Sequence, residues 1–138
     1  MRLGWLFLLL GFGFALLAKG EPTQVIGYLP HYRAGVIDAL PYERLTDLIF
    51  FSVEPRVDGS IDFSDAKSSI LKKLTTLAKS KGVKVHLCVG GWGKSKHFSK
   101  MAANPVSRLA FVRNLTAFLQ KHQLDGADVD WEHPKSKA

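Results

Sequence analysis

The sequence predicts an α/β fold built on a parallel sheet. Four short apolar segments rich in β-branched residues are each typical of a buried strand, and they span residues 25–29, 48–53, 83–89 and 127–131. Amphipathic segments separate the second strand from the third and the third from the fourth. Because parallel neighbours need a crossover long enough to hold a helix, this alternation favours a parallel sheet.

The connection after the first strand, residues 30–45, is rich in turn formers, and we expect at most a short helix at residues 42–45. After the second strand, the pair Asp58 and Gly59 is typical of a tight turn and predicts a small hairpin.

The first long helix is expected between the second and third strands. Ser64 or Asp65 is a candidate N-cap, and Gly82 follows the expected end. Apolar residues recur between them at helical spacing, namely Ile70, Leu71, Leu74, Leu77 and Ala78.

The second long helix is expected after the third strand. Asn104 and Pro105 are typical of an N-cap and a first helical position. The apolar residues that follow predict the face that packs on the sheet, namely Leu109, Val112, Leu115, Phe118 and Leu119.

Residues 1–20 are typical of a signal peptide. Arg2 precedes an uncharged run at residues 3–18, which is shorter than the roughly 20 residues of a membrane-spanning helix. Ala18 and Gly20 are small residues of the kind found before a cleavage site. We therefore expect a secreted protein, or a periplasmic one in a bacterium, with no stable membrane insertion after cleavage. An uncleaved membrane anchor is the alternative.

The charge pattern argues against a nucleic-acid partner. The formal net charge of +7 falls to +5 for residues 21–138, because Arg2 and Lys19 leave with the signal peptide. The remaining lysines are spread along helical faces, which usually indicates a solvated surface. Cys88 is the single cysteine, so an intrachain disulfide is excluded.

Acidic residues alternate with apolar ones in the fourth strand. Side chains of a strand point to opposite faces with a period of two, so Asp128, Asp130 and Glu132 are expected on one face. Repulsion among three carboxylates favours a raised pKa in one of them, as a general acid requires, and Glu132 is our candidate. A solvated acidic edge and a metal site are the alternatives, although His133 stands where an EF-hand loop needs glycine.

A glycine-rich loop follows the third strand, with the sequence CVGGWGKS at residues 88–95. It is close to a phosphate-binding P-loop, but Cys88 stands where that motif has its first glycine. The competing interpretation is that Gly90 and Gly91 allow a tight turn, which presents Trp92 as a flat surface for a sugar. A tryptophan buried between helices is the third possibility.

Residues 125–132, DGADVDWE, resemble the DGxDxDxE strand of the glycoside hydrolase family 18 chitinases and related N-acetylglucosaminidases. Residues 90–92 resemble the end of the family's third strand, residues 25–28 its first strand, and residues 45–50 the entry to its second. The resemblance covers the whole of residues 21–138. It implies a (β/α)8 TIM barrel, of which the chain holds about strands 1 to 4.

The resemblance also implies roles for individual residues. Glu132 would protonate the glycosidic oxygen, and Asp130 would orient the substrate's N-acetyl group with support from Asp128 and Tyr28. The nucleophile would be the substrate's own acetamido oxygen. The implied substrate-binding residues are Tyr28, Gly90, Gly91, Trp92, Gly93 and His133, with Asp125 and Cys88 in supporting positions. The implied partner is chitin or an N-acetylglucosamine oligosaccharide, without a cofactor or a metal ion.

Three residues depart from the family pattern. Cys88 stands where the family's SxGG motif has serine, and Ser52 stands where many members have an inward-facing aromatic residue. His133 follows the catalytic acid at a position where tyrosine is frequent.

Barrels of this type have roughly 250 residues or more, whereas the chain has 138. We therefore expect an N-terminal portion of a catalytic domain at residues 21–138, inactive by itself, with a half barrel completed by dimerisation as the alternative. The leading hypothesis is a secreted hydrolase of β-1,4-linked N-acetylglucosamine polymers. A non-catalytic chitin-binding lectin of the same fold and a nucleotide-binding P-loop protein are its rivals.

Overall fold

The structure is a computed structural model that describes residues 23–134, so the predicted signal peptide at residues 1–20 lies outside the described residues. None of the helices in the described range combines the length and the apolar character that crossing a bilayer requires.

Five strands form one sheet in the described part of the chain. They are β1 (Ile26–Pro30), β2 (Asp47–Pro55), β3 (Ile61–Asp62), β4 (Lys84–Gly90) and β5 (Gly126–Asp130). The order is β1-β2-β4-β5 with parallel neighbours, and the short β3 pairs antiparallel with β2. The predicted parallel α/β sheet is confirmed. Parallel pairing places the carboxyl ends of these four strands at one edge, where such sheets bind their ligands.

The main hydrophobic core lies between one face of the sheet and the helices. β2 and β4 supply residues that alternate along each strand, and α1 (Ser68–Ser80) covers them. The fully or almost fully buried members are Leu48, Phe50, Val53, Val85, Leu87, Val89, Leu71, Leu74 and Ala78. The predicted apolar face of α1 is therefore confirmed, since Ile70 and Leu77 also pack against this core.

The predicted N-cap of α1 is wrong. The helix begins at Ser68, after Lys67, which has no side-chain capping bond. Asp65 instead accepts a hydrogen bond from Lys94 of the loop after β4, with 2.7 Å between Nζ and Oδ2. This long-range contact holds Asp65 away from the helix terminus. Gly82 follows the helix end with φ of 74°, as its position predicts.

Helix α3 (Pro105–His122) begins as predicted but buries a different face. The Asn104 side chain accepts hydrogen bonds from the backbone N–H groups of Val106 and Ser107. Leu109 and Val112 were expected in the core, yet they are 51% and 53% exposed. The buried residues are Ser107 and Phe111, while Leu115, Phe118 and Leu119 are partly buried against the core as expected. Apolar residues lie on two sides of this helix, so periodicity alone does not select the buried side.

The turn between β2 and β3 packs against α3. Gly59 has φ of 85°, and a Cβ at this position would collide with the Ser107 carbonyl oxygen and the Phe111 backbone. The Asn114 side chain donates a hydrogen bond of 2.9 Å to the Gly59 carbonyl. The predicted hairpin is confirmed, and its close approach to α3 explains why the turn needs glycine.

The connection between β1 and β2 is more helical than predicted. It contains 3-10 helices at His31–Ala39 and Tyr42–Arg44, separated by a short bend. Ile37 is buried in the core, and its carbonyl accepts a hydrogen bond of 2.9 Å from the Tyr42 hydroxyl. Burial of these two side chains stabilises a helical conformation that the local sequence does not favour.

In the described part of the chain, strand β5 lies at one end of the strand order, and its apolar face is more open than predicted. Val129 is 55% exposed, and Ala127 is also exposed. Asp128 and Asp130 are half-buried. The helices cover β2 and β4 on this side of the sheet, which leaves the apolar side of β5 partly uncovered.

Candidate active site

The candidate site lies on the other face of the sheet, at the carboxyl ends of the strands. The ladder between β4 and β5 pairs Cys88 with Asp128 and Gly90 with Asp130. Paired residues of parallel strands point to the same side, so Cys88, Asp128 and Asp130 share this second face. Cys88 is fully buried but does not belong to the main core. The two aspartates therefore lie together as predicted.

Tyr28 and Asp128 show that this face is concave. They stand on β1 and β5, the two ends of the strand order, and the phenol donates a hydrogen bond of 2.9 Å to Asp128 Oδ2. Three strand spacings in a flat sheet would separate their backbones by about 14 Å with parallel side chains. The contact therefore requires a sheet that curves around the site, as in the wall of a barrel.

The environment keeps Tyr28 and Cys88 protonated. Loss of hydration raises the pKa of Tyr28 to about 12, with further contributions from the hydrogen bond and charge of Asp128. Burial raises the pKa of the Cys88 thiol, and the negative charge of Asp128 adds to this effect. Both neighbours of Asp128 are therefore neutral at physiological pH, and Tyr28 acts as a hydrogen-bond donor to the carboxylate.

Gly90 and Gly91 allow the loop after β4 to turn against Asp130. Their φ values are 101° and 92°, which side chains rarely adopt. A Cβ at Gly90 would collide with the Asp130 carbonyl and the Phe98 ring, and one at Gly91 would collide with the Phe51 ring and lie 3.4 Å from Asp130 Oδ2. Both positions require glycine because the backbone passes so close to these groups.

The loop projects Trp92 outward. Its side chain is 80% exposed, so a tryptophan buried between helices is wrong. The His133 ring lies edge-on to it, with the ring centroids 5.9 Å apart. Gly93, with φ of 78°, completes the turn. Trp92 and His133 thus form an exposed aromatic pair beside the carboxylates.

Glu132 lies beyond the last residue of β5, so strand alternation does not determine its position. It is half-buried and lines a cavity of about 780 Å³ with Trp92, Trp131, His133 and neighbouring residues of the loop and α2 (Phe98–Ala103). Its Oε2 atom is buried without a hydrogen-bond partner in the described range. Unpartnered buried carboxyl oxygens are uncommon in native proteins, so this atom makes Glu132 a candidate functional group.

Asp125 and Gly126 anchor the beginning of β5. Asp125 accepts a hydrogen bond of 2.8 Å from the Val85 amide through its side chain, and its own amide donates to the Val85 carbonyl. A Cβ at Gly126 would lie 2.9 Å from His86 Nδ1, so this glycine makes room for the imidazole. Asp125 therefore has a structural role, in which it anchors the beginning of β5 to β4.

Sequence reasoning missed the pair formed by His86 and Asp47. His86 Nε2 lies 2.8 Å from Asp47 Oδ1. This hydrogen bond lowers the pKa of Asp47 below its usual value, and a second hydrogen bond with Thr46 adds to the effect. Both residues alternate with core residues of their strands, and that alternation is a signal that they face the carboxylate side.

The P-loop alternative conflicts with the contacts of Lys94. Its ammonium donates to Asp65 Oδ2 and to the Ser52 carbonyl oxygen, at 2.7 and 2.9 Å. A phosphate-binding lysine must instead reach the ligand. For the metal alternative, the described residues hold no group of three or more His, Cys, Asp or Glu side chains arranged around a common point.

Comparison with known proteins agrees with this geometry. Residues 24–138 match Glycosyl hydrolases family 18. An endochitinase of Manduca sexta is 34% identical over 114 residues, which cover 75% of this chain and 21% of that protein. A chitinase-like effector of Moniliophthora perniciosa is 48% identical over 75 residues, which cover 54% of this chain and 17% of that protein.

A solved structure extends the similarity to the fold. It is a variant of the second catalytic domain of Ostrinia furnacalis group II chitinase in complex with penta-N-acetylchitooctaose. It superimposes with a TM-score of 0.71 at 29% identity, and the match covers 81% of this chain and 33% of that one. This chain thus corresponds to about a third of the solved domain. Together with the family match over most of its length, the partial barrel shows that the chain belongs to glycosyl hydrolases family 18.

Proposed function

We propose that the protein hydrolyses β-1,4-linked N-acetylglucosamine polymers or oligomers, with residues 21–138 as the strand 1 to 4 portion of the catalytic domain. The observation that carries the proposal is the group of Tyr28, Asp128 and Asp130 on one face of the sheet, followed two residues farther along the chain by the unpartnered carboxyl of Glu132. This group lies at the carboxyl ends of parallel strands, which is where barrel enzymes hold their catalytic residues.

In the proposed mechanism, Glu132 is the general acid. It transfers its carboxyl proton to the glycosidic oxygen as the bond from that oxygen to the anomeric carbon breaks. The acetamido oxygen of the substrate forms a bond to the same carbon, which gives a cyclic intermediate and makes a second catalytic carboxylate unnecessary. The Glu132 carboxylate then takes a proton from the water that opens this intermediate, and the configuration is retained.

In this mechanism Asp130 orients the acetamido group, and Asp128 and Tyr28 support Asp130. The Tyr28 hydroxyl donates a hydrogen bond of 2.9 Å to Asp128 Oδ2 and so holds that carboxyl in place near Asp130. Supported in this way, Asp130 helps to stabilise the positive charge that develops on the substrate's nitrogen.

The substrate-binding surface would consist of the loop at residues 90–93 and His133. Sugars stack on exposed aromatic faces, and Trp92 presents one. The complex of the Ostrinia furnacalis domain with penta-N-acetylchitooctaose supports a chitin oligosaccharide as the ligand. The signal-peptide pattern at residues 1–20 supports secretion.

The test is Glu132→Gln in the intact protein, with hydrolysis of a chitin oligosaccharide as the readout. We expect the rate to fall by a factor of at least about 100, because the amide has no acidic proton to donate, while oligosaccharide binding persists. Glu43→Gln is the matched control, since Glu43 is exposed and lies 3.7 Å from the neighbouring Arg44, away from the candidate site. Unchanged hydrolysis in Glu132→Gln would refute the assignment.

A chitin-binding protein without turnover is the second candidate function. The similarity to a chitinase-like effector favours it. The same assay separates the two functions, since a binding protein would retain the oligosaccharide without releasing shorter products.

A further inference from the structure

The position of Glu132 requires a restraint that the sheet does not supply. The ladder between β4 and β5 ends at the pairing of Gly90 with Asp130. One further backbone bond joins the Gly91 amide to the Asp130 carbonyl at 2.8 Å. Glu132 lies two residues farther along, and β4 has by then turned away into the glycine-rich loop.

The Ser95 hydroxyl occupies the place where the next strand partner would be. Its Oγ accepts a hydrogen bond of 3.1 Å from the Glu132 amide. The same oxygen lies 3.0 Å from the Asp130 carbonyl oxygen and 3.2 Å from the Gly91 carbonyl oxygen, which share its single proton. One hydroxyl thus joins the loop to the backbone on both sides of Trp131.

The loop that carries Ser95 is itself held on its opposite side. The neighbouring Lys94 donates to Asp65 Oδ2 and to the Ser52 carbonyl. Both Ser95 and Lys94 have part-buried contacts. Since a reacting group must be held close to its productive geometry, the supporting hydrogen bonds around it contribute to the rate.

We propose that Ser95 is a positioning residue for Glu132, an inference that rests on the proposed function only for its catalytic consequence. The hydroxyl fixes the backbone at Glu132 and thereby the direction in which the carboxyl enters the cavity. Ser95 also lines the cavity, and its substitution should impair proton donation while leaving Trp92 and His133 unchanged.

The first experiment does not depend on activity. Amide hydrogen exchange of the intact protein, read by NMR, should show exchange at Glu132 about tenfold faster in Ser95→Ala, as expected for loss of one hydrogen bond. Exchange at Val129, inside the β5 ladder, should stay unchanged. Ser95→Thr retains a hydroxyl and should restore the protection of Glu132.

The second experiment measures kcat and KM on a chitin oligosaccharide. Ser95→Ala should lower kcat about tenfold, with KM unchanged and with kcat recovered in Ser95→Thr. Ser80→Ala is the matched control, because the Ser80 hydroxyl also donates to a backbone carbonyl, that of Leu77, but at the far end of α1.

The two experiments separate failure of this inference from failure of the proposed function. Unchanged exchange at Glu132 in Ser95→Ala would overturn the positioning role whether or not the protein hydrolyses chitin. A parent protein without turnover would instead refute the proposed function and leave the exchange result to decide on Ser95. Equal losses of kcat in Ser95→Ala and Ser80→Ala would also contradict the inference.

Discussion

The two faces of the sheet differ in composition and in task. The face toward α1 is packed with aliphatic and aromatic residues such as Phe50 and Leu87, which are inaccessible to solvent. The opposite face carries Tyr28, Asp128 and the pair formed by Asp47 and His86, which are joined by hydrogen bonds. Stability therefore comes mainly from one face, because apolar burial is the dominant favourable term. The other face tolerates these four polar side chains because they pair with one another across the strands.

Two adjacent residues of β2 show the difference between the faces most clearly. Phe50 belongs to the main core and is 0% exposed, whereas the half-buried Phe51 packs edge-on to Tyr28 with the ring centroids 6.5 Å apart. We expect Phe50→Ala to lower the free energy of unfolding by about 3–5 kcal/mol, through lost burial and the cavity left behind. Urea unfolding followed by circular dichroism would measure this change.

Phe51→Ala is the control for the opposite face. Its loss of stability should be clearly smaller, while its effect on oligosaccharide binding or turnover should be larger than that of conservative core variants. Equal destabilisation by Phe50→Ala and Phe51→Ala would show that the two faces do not divide their tasks in this way.

The loop beside the carboxylates gives a second comparison, between Gly91 and Gly93. Both have positive φ, but a Cβ at Gly91 would collide with Phe51, whereas nothing lies within 4 Å of one at Gly93. Gly93→Ala should lower the free energy of unfolding by about 1–2 kcal/mol, because of the backbone conformation alone. Gly91→Ala should lower the free energy of unfolding by about 1–3 kcal/mol more than Gly93→Ala, because the added methyl group overpacks the site.

Thermal or urea unfolding of the two variants would measure these costs. Gly35→Ala is a reference with neither problem, because its surroundings are open and its φ is not positive. If Gly91→Ala and Gly93→Ala destabilised the protein equally, close packing of the loop against Phe51 would not be the reason for glycine at position 91.

The smallest expected effect is the pH dependence of stability from Asp47. Its pKa in the folded protein lies below the ordinary value of 3.8, chiefly through the hydrogen bond with His86. Its stabilising contribution is therefore complete above pH 3.8 and is lost as the pH falls through the lowered folded pKa. Asp47→Asn should be less stable than the parent near pH 6, and the two should converge in acid.

Urea unfolding between neutral and strongly acidic pH would follow this convergence. Asp38→Asn, an exposed aspartate that pairs with Lys73 at the surface, should give a curve nearly parallel to that of the parent. A constant difference between Asp47→Asn and the parent at every pH would contradict the stabilising role of the ionised Asp47 carboxylate in its hydrogen bond with His86.

Local patterns predicted well what depends on short stretches of chain. The strand segments, the amphipathic face of α1 and the cap at Asn104 follow from periodicity and from side-chain chemistry within a few residues. The alternation in β5 likewise predicted that Asp128 and Asp130 share a face. Local patterns failed for α3, where two apolar sides compete, and for Asp65, which pairs with the distant Lys94 instead of capping a helix.

The sequence by itself determined the order of strands and helices and the presence of an acidic row at the end of a strand, because these depend on neighbours in the chain. Only the tertiary structure decided which groups meet. Tyr28 contacts Asp128 because the sheet curves, and Ser95 contacts Glu132 because the loop after β4 folds back across β5. Such contacts depend on strand order, sheet curvature and the close approach of glycine-rich backbone, which are properties of the packed molecule.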